Sequence, residues 1–224
     1  MVHADAVIVA AGYSTRFGNE DKLFADLGGR PLLAWSLTAY EAASNVDRVI
    51  VVASPENLDR VSALGREWAP AKFAAAVAGG VRRRDSVEAG LRAVHSTYVA
   101  IHDGARPLTP PALIDACIEA AVGRPGAIVA SPVNDTIKAV RDGVITGHPD
   151  RSILWAAQTP QVVRREAWLA AAAAGDDDET DDAAMLSRFA LDCVVIEGSV
   201  ENLKITRPLD LDIARLILRA WEGA

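Results

Sequence analysis

Apolar runs rich in valine and isoleucine alternate along this chain with stretches whose apolar residues return at helical spacing. "AVIVA" (6–10) reads as a buried strand, and "PLLAWSLTAYEAA" from Pro31 as a helix. "VDRVIVVAS" is the next strand, followed by a helix around Asn57 to Trp68. "FAAAVAGG" leads into a glycine turn and then the helix "DSVEAGLRAVH", where Asp85 and Glu88 have capping-box spacing. "STYVAIHDGARP" is a strand ending in a polar loop, "PPALIDACIEAAV" a helix opened by prolines, and "GAIVASPV" another strand. The chain finishes with strands "DCVVIEG" and "NLKIT" and a helix from Pro208 to Trp221. Such alternation predicts an α/β fold, a mostly parallel sheet with helices on both faces. Ligands of such sheets bind beyond the carboxyl ends of the strands.

Two segments break the alternation. "DTIKAVRDGVITGHPDRSILWAAQTPQ" reads as a hairpin, with "TIKAV" and "VITG" joined at Arg141-Asp142-Gly143. Too few apolar residues alternate there to bury it against its own sheet, so the segment is expected to project as a β-hairpin arm. "AAAAAGDDDETDD" is expected to be a solvated loop leading to a helix capped near Thr180, with metal binding as the other reading.

Composition narrows the class. The chain has 224 residues, of which 50% are hydrophobic, enough for the core of one domain or of two small ones. A net charge of −7 argues against a nucleic-acid or anionic-membrane surface, which would want a basic stripe. Cys117 and Cys193 lack CxxC spacing and read as reduced core thiols of a cytoplasmic protein. The apolar run from Ala6 to Ala11 is too short for a membrane span and has no basic region before it. A soluble intracellular protein is expected. His3, His95 and His148 are scattered, which disfavours a histidine metal cluster.

The first strand leaves the core through Ala10-Ala11-Gly12, and Arg16 and Lys22 follow within a dozen residues. Neither the GxGxxG fingerprint nor GxxxxGK[ST] fits, because Ser14 and Phe17 stand where each would need glycine. Exposed backbone N–H groups and two cations suit a triphosphate. Taken alone, the stretch reads equally well as a solvated loop with chance charges.

"AAGYSTRFGNEDKLF" resembles the nucleotide loop AAGxGxRMGxxxPKQ of nucleotidyltransferases. With "GGVRRRDSVEAGL", "HDGARP", "TIKAV…LWAAQTPQ", "TDDA" and "LKIT" in the same order, the chain resembles the 2-C-methyl-D-erythritol 4-phosphate cytidylyltransferase family of the non-mevalonate isoprenoid pathway, over about residues 6–218. Ser14, Phe17, Asp21 and Leu23 replace the family's glycine, methionine, proline and glutamine, and none of these changes removes a cation. The resemblance implies a single-domain Rossmann-like nucleotidyltransferase fold over residues 1–224, with a dimerisation β-arm at about 135–155.

By the same resemblance, the backbone of Ala10, Ala11 and Gly12, with Tyr13 and Ser14 behind them, approaches the nucleotide. Arg16 and Lys22 hold the triphosphate and stabilise charge at the α-phosphorus. The Gly79-Gly80 turn and Ser86 recognise cytosine, although that glycine pair alone reads as a turn before a helix. Arg83 matches a family arginine, while Arg82 and Arg84 are expected to be solvated. Asp103, Ala105 and Arg106 line the junction between ribose and sugar-alcohol phosphate, with His102 a structural neighbour that transfers no proton. Thr136, Arg151, Thr159, Thr180 and Lys204 surround the methylerythritol phosphate, and Lys204 also serves the reacting phosphates. Taken alone, Thr136 and Thr159 are ordinary strand residues.

The implied reaction is cytidylyl transfer from CTP to methylerythritol phosphate, with Mg²⁺ carried mainly by the triphosphate and no dedicated protein metal site. The implied assembly is a homodimer made by β-arm exchange. Three rivals are weighed against it. A ribitol 5-phosphate cytidylyltransferase is disfavoured by "HDGARP" in place of "HDSVRP", and a sugar-1-phosphate nucleotidyltransferase by "TIKAV…AQTPQ". A nucleotide-binding regulatory protein with a dead site is disfavoured by Arg16, Lys22, Asp103, Arg151 and Lys204 occurring together.

Overall fold

The computed structural model of the chain describes residues 2–12, 21–175 and 179–222. β1 (Ala4–Ala10) is followed by a small hairpin, β2 (Asp26–Leu27) and β3 (Arg30–Pro31), then α1 (Leu32–Ala42) and β4 (Val46–Ala53). α2 (Leu58–Trp68), β5 (Phe73–Ala78), α3 (Arg83–Arg92), β6 (Tyr98–Asp103), α4 (Pro111–Ala121) and β7 (Gly126–Pro132) continue the alternation. Beyond them lie the arm strands β8 (Ala139–Arg141) and β9 (Val144–Gly147), then β10 (Trp155–Arg164), α5 (Arg165–Ala173), α6 (Asp182–Ser187), β11 (Val194–Glu197) and α7 (Pro208–Glu222).

Seven strands form one sheet in the order β11-β7-β10-β6-β1-β4-β5. β1 pairs in parallel with both β4 and β6, and β10 runs antiparallel between β6 and β7. The side-chain period of two sends alternate residues of β1 to opposite faces. Ala4, Ala6 and Ile8 join one core with Leu33 and Leu37 of α1, Ile114 of α4 and Leu218 of α7. Val7 joins the other with Val87 and Leu91 of α3, Trp168 of α5 and Leu186 of α6. Burial on both faces explains why β1 reads as a continuous apolar run.

The arm is shorter than the sequence predicts: pairing begins at Ala139, not Thr136, and a tight turn at Asp142 (φ 51°) and Gly143 (φ 77°) joins the two short strands. Two successive positive φ values give the primed turn that suits two-stranded ribbons. Val140, Val144 and Ile145 of the arm are exposed. "WAAQTPQ" belongs to the main sheet through β10, and "NLKIT" is not a strand. Ile205 N–H reaches Ala105 O at 2.8 Å, a single cross-link in place of a ladder.

Helix α5 occupies most of the alanine tract expected to be loop, because Trp168, Ala171 and Ala172 bury one side of it. α6 is capped by Asp181, one residue after Thr180, whose Oδ1 accepts from Ala184 N–H at 2.8 Å. α3 begins at Arg83, so Asp85 lies in its first turn and accepts from Arg82 N–H, while Glu88 pairs with Arg92. Arg84, expected in solvent, is buried and donates to Ala172 O and Gly175 O at the end of α5. Cys117 lies in the core and Cys193 is half-buried, and burial pushes their thiols up to about 12 and about 11.

Gly90 shows how closely α3 meets the sheet, since a Cβ there would lie 2.3 Å from Val7 Cγ1 and 2.9 Å from Val52 Cγ2. Helix propensity favours alanine by about 1 kcal/mol, but overpacking a rigid core costs about 1–3 kcal/mol. Gly90→Ala is therefore expected to destabilise the protein, by about 1 kcal/mol or more in urea unfolding. An increase in stability would mean that α3 lifts from the sheet at little cost.

Candidate active site

β1, β5 and β6 end on the same side of the sheet, and their loops open onto one crevice. β1 runs out through Ala11 and Gly12, β5 into Gly79-Gly80, and β6 into Asp103-Gly104-Ala105-Arg106. The glycine turn is dictated by crowding. A Cβ on Gly79 would lie 2.5 Å from Ala11 Cβ, and one on Gly80 would lie 2.3 Å from Asp85 Cβ. Ser86 fastens this turn, its Oγ accepting from Gly80 N–H at 3.1 Å and donating to Arg82 O at 3.3 Å.

Lys22 enters from the opposite wall on a single 3₁₀ turn, Lys22–Phe24. Asp21, which stands where the resembled loop has proline, caps that turn through Leu23 N–H and accepts from Asn57 Nδ2 at 2.9 Å. Burial raises the Asp21 pKa, and the Leu23 N–H bond and Lys22 partly offset this. Leu23, replacing glutamine, is buried in the core. Both departures therefore have a packing or capping role. Lys22 Nζ donates to Ile205 O at 2.9 Å, tying the first loop to the segment that carries Lys204.

The crevice contains two adjoining cavities of about 230 Å³ each. The first gathers Ala10, Ala11, Gly12, Lys22, Gly80, Ser86 and Ala105. The second gathers Arg106, Thr159 and Thr180, with Gln158, Gln161 and Asp181. Asp103, Arg83 and Lys204 border both, so they form the shared wall.

Charge concentrates on that wall. Asp103 Oδ2 lies 2.7 Å from Lys204 Nζ and 3.9 Å from Arg106 Nε, and its Oδ1 lies 3.4 Å from Arg83 Nε. Burial pushes the Asp103 pKa up, but Arg83, Lys204 and Arg106 outweigh this and hold it well below the usual carboxylate range. Arg83 also donates from Nη2 to the buried Asp182 at 2.8 Å, and Asp182 Oδ1 accepts from Trp168 Nε1 at 3.0 Å. Burial lowers the Arg83 pKa, and the two carboxylates more than reverse that.

Beneath the charges lies a neutral network. Arg106 O can only accept, so His102 Nε2 donates to it at 3.1 Å. In the neutral ring Nδ1 then accepts, and Thr159 Oγ1 donates to it at 3.0 Å while itself accepting from Asp103 N–H at 3.1 Å. Burial lowers the His102 pKa to about 4. His102 thus holds Thr159 and the Arg106 backbone in place as an uncharged group.

Thr136 and Arg151 are not brought to either cavity of this chain. Both are exposed, and Arg151 donates from Nη1 to Asn134 O at 2.6 Å. Tyr13, Ser14 and Arg16 lie outside the described residues. Sequence reasoning missed Arg83 as a wall of both cavities, and Gln158, Gln161, Asp182 and Asn202 as their supports. The signal for Asp182 was the "TDDA" motif itself, and for Asn202 its place two residues before Lys204.

His102 sets a pH dependence. Its ordinary pKa of 6.5 exceeds its folded value of about 4, so the unfolded chain binds the extra proton between them. Stability is fully present above 6.5 and falls as pH drops toward 4. Between pH 7 and pH 5 the protein should lose about 2 kcal/mol more than a His102→Gln variant in urea unfolding. Equal losses would mean that His102 takes up its proton in the folded protein.

A family model described as "IspD: 2-C-methyl-D-erythritol 4-phosphate cytidylyltransferase" matches residues 4–220. The chain is 42% identical over 219 residues to a 2-C-methyl-D-erythritol 4-phosphate cytidylyltransferase of Prochlorococcus marinus (strain MIT 9313), covering 95% of this chain and 96% of that protein. It is also 42% identical over 224 residues to a bifunctional enzyme IspD/IspF of Rhodospirillum rubrum, covering 98% of this chain and 58% of that one. Among solved structures, the 4-diphosphocytidyl-2C-methyl-D-erythritol synthase of Anaerococcus prevotii superposes with a TM-score of 0.86 at 26% identity, over 97% of this chain and 96% of the other. The cytidylyltransferase from Thermus thermophilus gives 0.77 at 30% identity, over 98% and 100%. A family match over residues 4–220, with full-length relatives at 42% identity, makes the chain a member of the 2-C-methyl-D-erythritol 4-phosphate cytidylyltransferase family.

Proposed function

We propose that this protein transfers a cytidylyl group from CTP to 2-C-methyl-D-erythritol 4-phosphate, releasing pyrophosphate, in isoprenoid precursor biosynthesis. The observation that carries the reading is the pair of adjoining cavities sharing a wall of Asp103, Arg83 and Lys204. CTP takes the cavity with the glycine turn and Lys22, and the sugar-alcohol phosphate takes the one with Arg106 and Thr159. Their phosphates meet at the shared wall. A phosphate oxygen attacks the α-phosphorus in line, the new O–P bond forms, and the bond to the pyrophosphate oxygen breaks. No proton transfer is needed, because the attacking group is already an anion. The work of the site is to bring two polyanions together and neutralise charge as it builds.

Lys22 and Lys204 supply that charge at the reacting phosphates, and Arg16, assigned from the sequence, completes the set. Ser86 shapes the turn that reads cytosine, leaving backbone groups of Gly80 and its neighbours to meet the base edge. A Mg²⁺ ion bound with CTP would supply charge shielding to the triphosphate. Asp103 is the acidic side chain on the described wall of the nucleotide cavity, and it is already paired with cations. Such an ion would accordingly be held mainly by phosphate oxygens, a mode common for Mg²⁺. No helix of the described residues is long and apolar enough to cross a membrane, and we place the enzyme in the cytoplasm.

The arm gives each site its remaining residues from a second copy. A two-stranded hairpin is marginal in water by itself, and the exposed Val140, Val144, Ile145, Ile153 and Trp155 would be covered in a two-fold dimer. Thr136 and Arg151 then serve the other chain's methylerythritol phosphate.

Purified protein with CTP, Mg²⁺ and methylerythritol phosphate should release pyrophosphate faster than with ribitol 5-phosphate or glucose 1-phosphate. Faster turnover of either competitor would overturn the substrate assignment. Arm exchange has its own test. Lys22→Ala should lower kcat by roughly 10²–10³, and Arg151→Ala should chiefly weaken sugar-alcohol phosphate binding. Mixing the two inactive homodimers should restore activity to about a quarter of wild type, since half the dimers are mixed and each has one intact site. No recovery, with subunit exchange verified, would mean that Arg151 serves its own chain.

A further inference from the structure

We propose that Asn202 is a positioning residue that sets Lys204 and Arg106 for reaction, an inference resting on the cytidylyl-transfer reading of the site. Lys204 is carried by an irregular segment between β11 and α7, with no ladder to hold it. The backbone is pinned by Gly198 N–H to Ala130 O, Asn202 N–H to Ser199 O, and Ile205 N–H to Ala105 O. The side chain that fastens its middle is Asn202, which is only 1% exposed.

The Asn202 amide is bonded on both sides, to two separate parts of the crevice. Oδ1 accepts from Thr109 Oγ1 at 2.8 Å, in the loop that follows Arg106. Nδ2 donates to Gln158 Oε1 at 3.1 Å and to Thr159 O at 3.0 Å, both on β10 beside the second cavity. The Asn202 backbone O accepts from Arg106 Nη1 at 2.7 Å, and two residues later Lys204 meets Asp103. Burying an amide is tolerated only when its hydrogen bonds are made, and here they are. An apolar side chain would serve packing as well. What the amide adds is direction, since its bonds fix the Lys204 segment relative to Arg106 and Thr159 at once.

Reaction geometry is sensitive to such registration: a misplacement of about 1 Å can cost about 10²-fold in rate. Asn202→Asp keeps the shape and the Thr109 bond but turns an oxygen toward Gln158 Oε1 and Thr159 O. It should lower kcat/KM for methylerythritol phosphate by about 10- to 100-fold. The same change should cost clearly less in Lys204→Ala or Arg106→Ala protein than in wild type, because one of the two groups it positions is already gone. A purely structural asparagine would instead lower activity by one factor in every background, in step with the folded fraction.

Equal factors across the backgrounds, or wild-type kinetics in folded Asn202→Asp, would overturn the proposal. If Asn202→Asp does not fold, Thr109→Val removes a single hydroxyl from the same network and should repeat the coupled pattern at about 3- to 10-fold. Unchanged or additive kinetics in that variant would overturn the proposal equally. A wild-type protein inactive with CTP and methylerythritol phosphate would sink the underlying reading and the proposal with it. An active wild type with an additive cycle sinks only the role of Asn202.

Discussion

One buried carboxylate holds the site together. Asp103, at the end of a central strand, gathers Arg83 from the start of α3, Arg106 from its own loop and Lys204 from the segment before α7. Without it these cations would repel one another, by about 3 kcal/mol for two charges 5 Å apart at an effective dielectric of 20. Without them the carboxylate would bear an uncompensated desolvation cost of several kcal/mol. Each side of the cluster therefore makes the other tolerable. The cations outnumber Asp103 even after Asp182 takes one bond of Arg83, and the surplus faces a crevice suited to anions.

Around this cluster the protein uses uncharged groups for alignment. His102, Thr159, Asn202 and Gln158 are buried, bonded to one another or to backbone, and add nothing to the local charge. A charged group in those places would shift the balance that Asp103 sets. The low pKa of His102 follows chiefly from its burial, which Asp103 and the bond to Arg106 O oppose and the Arg106 and Lys204 charges reinforce. Orientation and electrostatics are in this way assigned to different residues.

Turn geometry and cross-links then fix how the walls face each other. Gly79 and Gly80 allow the α3 loop to press against Ala11 and Asp85. Lys22 reaches across to Ile205 O, so the first loop and the Lys204 segment are joined although 183 residues separate them. The loops of a parallel sheet converge at one end of the strands, but only such ties give them a definite spacing.

The sequence by itself determined the strands and most helices, because apolar periodicity is a local property of the chain. Its motifs also marked the ends of β1, β5 and β6, where small residues, glycines and charges cluster as a crevice requires. Tertiary structure decided the rest. "NLKIT" has strand composition yet lies as a loop, since its partners are Ala105 and the Asn202 network, not a neighbouring strand. Arg84 reads as a surface cation but is buried, because the end of α5 presents Ala172 O and Gly175 O to it. The alanine tract became α5 only because Trp168 has a core to enter. Asp182 lies within "TDDA" and Asn202 just before "LKIT", but their work depends on Arg83, Trp168, Thr109 and Gln158, residues remote in sequence. Local pattern records which face of an element is apolar; it cannot record which distant group will satisfy a buried polar atom, and that is settled only when the chain is packed.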